Sequence, residues 1–221
     1  ARKSLPNDAR LFELKGYVER RRPGGNQEEA LRNLERAIDL DPRNVVVLQQ
    51  TANSYDLLRR YADEEAIRDR ALAIDPNNPD TKLLHAEVAF NWKADTRPLH
   101  QTLDEIRAKD PAAIEHLADV WLECALAERD PMLAANALAA LGKNNVGADT
   151  IQFSPRFMTG LIARMTKGDA KAQAAFTAAR AEQVKLVQAN PDNAGVLCVL
   201  GLIDAALGRK EEALREGRRA V

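Results

Sequence analysis

Small and apolar residues recur along the chain at helical spacing, and the block they form is itself repeated. Gly201 is followed twelve residues later by Ala213 and nineteen later by Ala220, with Leu197 and Leu200 just upstream. Gly160, Ala172, Phe176 and Ala179 reproduce the pattern, as do Gly16, Ala30, Leu34 and Ala37, the last three two residues late because Pro23-Gly24-Gly25 lengthens the turn. A glycine on one helix and alanines on the next remove the bulk that would hold two antiparallel axes apart, while leucines fill the grooves beside them. Gly208 sits where a left-handed cap ends the first helix of such a pair.

Prolines punctuate these blocks at 6, 42, 76 and 111, separated by 36, 34 and 35 residues, and a further rung, Asn190-Pro191-Asp192-Asn193, lies 80 residues after Pro111. A fixed period of this length marks a helical repeat array. The glycine, alanine, aromatic, alanine and proline offsets resemble those of the tetratricopeptide repeat family, whose unit is a 34-residue helix-turn-helix. The resemblance covers nearly the whole chain. It implies an all-α solenoid, a right-handed superhelix of about six antiparallel helix pairs, with units near 7–42, 43–76, 77–111, 112–145, 153–191 and 192–221 in a single array.

The departures from the template are specific. Unit two places Glu64 and Arg68 where a small and an apolar residue are expected, and unit three carries Leu99, Leu103 and Ile106 shifted by one. Unit four, around Trp121 and the run from Met132 to Leu141, diverges most. Residues 142–153 mix polar, glycine and β-branched character and read as one long irregular loop. Pro191 falls 31 residues after Gly160 where the template expects 24; seven extra residues are two helical turns, so a helix near 169–189 should project beyond its neighbours. Ala1 to Leu5 reads as the tail of a preceding helix and Glu211 to Val221 as a second helix without its closing proline. The array is therefore expected to be part of a longer chain, with exposed stacking ends that could self-associate. The arrangement further resembles repeat regions of large bacterial signalling proteins.

Composition narrows the possible chemistry. The 221 residues are 45% hydrophobic, 29% charged and 5% aromatic, and 32 basic against 33 acidic residues leave a net charge of -1. No global field favours phosphates or anionic lipid, so nucleic acid is not an expected partner. No apolar run approaches the roughly 20 residues of a spanning helix and no signal peptide opens the sequence, which predicts a cytoplasmic chain without membrane insertion. Cys124 and Cys198 fall in apolar helical patterns and read as reduced core thiols. His85, His100 and His116 lie in separate helices without a catalytic or metal-binding context, and Pro23-Gly24-Gly25-Asn26 lacks the strand and Lys-Ser/Thr of a phosphate loop. No enzyme activity, metal or other cofactor is expected. Glu19-Arg20-Arg21-Arg22 fits a solvated helix end, although it could meet an acidic peptide.

In the resembled family the first helix of each unit lines the concave face. Helical spacing then points to Tyr17 and Arg20 in unit one, Gln49, Asn53 and Asp56 in unit two, Glu87 in unit three, and Phe157, Leu161 and Arg164 in unit five. The groove should turn from polar to apolar along its length, with a peptide anchored near Phe157 and Leu161 and held by polar contacts near Gln49 and Asn53. The same side chains could instead only pack against adjacent helices. Glu13, Gln49 and Leu83 stand where one subfamily's carboxylate-gripping lysine would be sought, which argues against capture of an acidic chain terminus. Trp92, Trp121 and Tyr55 read as core. The expected function is a non-catalytic interaction module for a protein or peptide. The alternatives are a structural spacer or self-association element, and a regulatory sensor arm of an attached kinase, cyclase or DNA-binding domain.

Overall fold

The computed structural model describes residues 7–22, 24–148 and 151–221. Readings that fall on Ala1 to Pro6 and on Pro23 lie outside the described residues. Among those residues the chain is all-α, with twelve α-helices and one two-stranded hairpin. It divides into two compact units, one ending at Ile106 and the next beginning at Arg107, inside α6 (Arg97–Lys109).

The proline rungs have a local cause. α2 (Gln27–Leu40) ends at Asp41, and Pro42 cannot continue a helix because it has no N–H and its ring blocks the preceding turn. Two residues on, the Asn44 side chain accepts from the backbone N–H of Val47 at 3.2 Å and starts α3 (Val45–Leu57). Asn78 does the same for Thr81 at 2.9 Å to start α5 (Pro79–Lys93), and Asn193 for Val196 at 3.1 Å to start α11 (Ala194–Ala206). The rung at Pro111 has Ala113 where the capping asparagine would stand. There the chain forms a 3₁₀ turn, Pro111–Glu115, and α7 (Ala118–Ala127) begins only at Ala118.

In the first unit α1 (Ala9–Arg21) packs on α2, α2 on α3, α3 on α4 (Tyr61–Ile74) and α4 on α5. Gly16 is buried, and a Cβ there would lie 2.7 Å from Leu34 Cγ, so the closeness of α1 to α2 requires the missing side chain. Ala37, Ile38, Val47, Leu48 and Ala71 form a buried cluster flanked by Phe12, Val45, Ile67 and Ile74.

In the second unit α7 packs on α8 (Pro131–Leu141), α8 on α9 (Pro155–Met165), α9 on α10 (Asp169–Ala189), α10 on α11, and α11 on α12 (Lys210–Arg219). α10 is the lengthened helix expected near 169–189. The long loop is where the chain leaves the helical pattern, but it is not irregular throughout. β1 (Val146–Ala148) and β2 (Ile151–Phe153) pair antiparallel, Val146 opposite Phe153 and Gly147 opposite Gln152, and β2 lies against α11. Val146 is buried and Phe153 stacks on Phe157 at 5.0 Å between ring centroids, so the pairing is held by the helical core beneath it.

Candidate functional site

The first-unit residues singled out by spacing sit on α1, α3 and α5, and three of them, Arg20, Gln49 and Asn53, are tied to a neighbouring helix. Arg20 reaches from α1 to α3: its guanidinium donates to the Gln50 carbonyl at 3.1 Å, the Gln50 side-chain oxygen at 2.6 Å and Ser54 Oγ at 3.2 Å. Gln49 Nε2 donates to Thr81 Oγ1 at 2.7 Å, linking α3 to α5. Asn53 Oδ1 accepts from Arg68 Nη2 of α4 at 3.1 Å. Tyr17, Asp56 and Glu87 are half-buried on the same three helices. Burial and a hydrogen bond to Glu13 push the Tyr17 phenol up to about 12, and the Arg20 and Arg21 guanidinium groups lie 5.8 and 5.6 Å from its ring centre. A neutral phenol between two cations results at any physiological pH.

In the second unit, Phe157 is 8% exposed and its ring fills the core, between Phe153 and a fully buried Phe176 whose ring centre is 5.5 Å away. The Arg164 guanidinium stacks over Phe176 at 4.8 Å and donates to the Ala206 carbonyl of α11. Leu161 is half-buried beside them. Arg20, Gln49, Asn53, Phe157 and Arg164 all make contacts between elements.

Other polar groups were not singled out by spacing. Tyr55 OH donates to Glu35 Oε1 at 2.6 Å, and burial together with this bond raises the phenol's pKa far above its ordinary value. Glu64 and Arg68 are buried side by side on α4, with Arg68 Nη2 2.7 Å from Glu64 Oε1, while Glu64 Oε2 and Arg68 Nη1 are buried without a hydrogen-bond partner. Burial raises the Glu64 pKa, with Arg68 opposing. Their misfit to the template was visible; the pairing with Asn53 was not. Asn145, Gln152 and Gln183 line a cavity of about 580 Å³ in the second unit, and nothing in their helical or loop context marked them.

Helix pairs joined by tight turns, glycine-to-alanine closeness and proline-asparagine rungs together define a tetratricopeptide-type fold. Solved structures agree. PilW, a widely conserved type IV pilus biogenesis factor, aligns over 94% of this chain and 90% of its own with a TM-score of 0.66 at 17% identity. A tetratricopeptide repeat protein from Parabacteroides merdae aligns over 96% and 91%, with a TM-score of 0.58 at 13% identity. Yeast Tom70 aligns over 96% of this chain at a TM-score of 0.58 and 16% identity, and the chain spans 42% of Tom70's length. No family model and no curated protein matches the sequence. Among the described residues no helix is long and apolar enough to cross a membrane.

Proposed function

We propose that the chain is a non-catalytic protein-interaction module whose first helices offer a peptide or protein partner a prearranged surface. The observation that carries this reading is the polar bridging between successive first helices, Arg20 to Gln50 and Ser54, then Gln49 to Thr81. Such bridges fix the helices in register, so the half-buried Tyr17, Asp56 and Glu87 beside them lose little freedom when a partner docks. The fold shared with PilW, a type IV pilus biogenesis factor, supports an assembly role. Cys124 and Cys198 are not joined in a disulfide, which fits a reducing compartment, and the reading places the module in the cytoplasm, within a larger bacterial regulatory protein. The six-unit division of the array belongs to the same proposal. The test is a peptide array probed with the purified chain: Tyr17→Ala and Asp56→Ala should each weaken captured peptides without changing the circular dichroism spectrum. Equal binding by wild type and both variants sinks the proposed face.

Self-association is a second reading, favoured by Leu14 and Val18, which are 49% and 64% exposed on α1 and border a depression of about 480 Å³ with Leu11 and Asn33. Light scattering that returns a monomer mass at every concentration eliminates it.

A further inference from the structure

Both interruptions of the repeat border the same cavity. The hairpin's buried side carries Val146 and Phe153, and alternation along the strands turns Asn145, Gln152 and Ser154 to the other side. There they line the cavity of about 580 Å³, whose opposite wall is the lengthened end of α10, with Gln183 and Leu186, and the start of α11, with Asn193 and Val196. Stacking of helix pairs does not require such a cleft. Its volume falls within the ~300–1,000 Å³ of ligand sites.

The amides in this cleft are oriented by bonds among themselves and to the backbone. Asn145 Nδ2 donates to Gln152 Oε1 at 3.3 Å, which leaves the Asn145 oxygen to accept and the Gln152 amide nitrogen to donate. Gln183, 6% exposed, donates Nε2 to the Val196 carbonyl at 2.9 Å, leaving its oxygen to accept. Asn193 Oδ1 is occupied by the Val196 N–H at 3.1 Å, leaving its amide nitrogen to donate. Two donors and two acceptors therefore face one space, with Leu186 and Val196 supplying an aliphatic strip. A polypeptide main chain offers this complement, one N–H and one C=O per residue with apolar side chains between. A carbohydrate fits less well, because none of the lining side chains is an aromatic ring on which a sugar face could stack. Of the two charged side chains that line the cleft, Glu182 is held by Arg156 at 2.6 Å and Lys185 is exposed.

We propose that this cleft binds a short, extended peptide segment of a partner through its main-chain amides. The assignment rests on the interaction-module reading but places recognition between the hairpin and α10, away from the first-helix faces. The test selects a phage-displayed library of random linear peptides on the purified chain and measures dissociation constants for the enriched sequences. Gln152→Ala and Leu186→Asp, both at exposed positions, should each weaken binding by roughly three- to tenfold, with Tyr17→Ala without effect. N-methylating one central amide of the peptide should cost a similar factor. Binding that falls only with Tyr17→Ala overturns the cleft and leaves the interaction module standing. Enrichment of no peptide, with or without binding on a glycan array, overturns both.

Discussion

Arg180 on α10 grips the carboxylate of Asp204 on α11, Nε to Oδ1 at 2.5 Å and Nη2 to Oδ2 at 3.3 Å, and the Asp204 side chain is completely buried while that of Arg180 is a quarter exposed. The two partners are therefore not equivalent. Removing the arginine strands a carboxylate away from water, with Arg209 at 4.0 Å as its other cation. Removing the aspartate leaves an arginine that can turn toward solvent. Arg180→Ala should cost about 2–3 kcal/mol and Asp204→Asn about 1 kcal/mol less. Urea unfolding followed by circular dichroism ranks them, and the opposite order contradicts the account.

The three template glycines predict a graded series. A Cβ at Gly160 would press against the ring edge of Phe176, 2.6 Å from Cδ1, and that ring is fully buried and cannot yield. At Gly16 it would press on Leu34 Cγ at 2.7 Å, a side chain with other rotamers, and at Gly201 its nearest neighbour is the Ala213 carbonyl at 3.2 Å. Alanine also gains about 1 kcal/mol of helix propensity over glycine. The net result should be a loss of about 2–3 kcal/mol for Gly160→Ala, about 1–2 kcal/mol for Gly16→Ala and within about 1 kcal/mol of zero for Gly201→Ala. Thermal midpoints of the three variants check the order.

What could be read from residues alone was what residues determine locally. Asp41-Pro42-Arg43-Asn44 stops one helix and caps the next using its own atoms, so the rungs appear in the sequence as they do in space. The length of α10 followed from counting residues between Gly160 and Pro191. The hairpin did not, because two strands of three residues are stable only through Val146 and Phe153 packing on the helices below. Helical spacing placed Arg20 on α1 but gave no distance to Gln50, so its bridge to α3 was not legible in the sequence. The amide-lined cleft was hidden for the same reason: its donors and acceptors are assigned by bonds between residues far apart in sequence, such as Gln183 and Val196.

The buried pair on α4 replaces a small and an apolar residue of the template, and its cost should be measurable. Arg68→Leu alone leaves Glu64, 2% exposed, without its cation and should destabilise by about 3 kcal/mol. Glu64→Ala combined with Arg68→Leu removes both charges and the two unpartnered atoms, and should return to wild-type stability or exceed it. Acidity adds a second readout. Burial holds the Glu64 carboxyl above its ordinary range, so its folded form binds a proton more readily than its unfolded form. The stability this contributes is complete below the ordinary glutamate pKa and is lost as pH rises through the elevated one. Wild type should therefore lose stability relative to Glu64→Gln across that interval, and a difference independent of pH refutes the assignment.

The turns inside the helix pairs place Arg59, Ala94, Arg129 and Lys167 at φ between 54° and 56°, while the last pair uses Gly208 at 76°. A left-handed conformation costs an L-residue roughly 1–2 kcal/mol, and glycine avoids it at the expense of about 0.4–1 kcal/mol of extra freedom in the unfolded chain. Ala94 is exposed, so nothing but backbone conformation changes when its methyl group is removed. Ala94→Gly should stabilise the chain by about 0.5–1 kcal/mol. Gly208→Ala, where an added Cβ meets no atom within 4 Å, should cost a similar amount for the reverse reason. Urea midpoints should move in opposite directions for the two variants at unchanged slope. A less stable Ala94→Gly would mean that the methyl group restrains the α5–α6 turn more than the positive φ strains it.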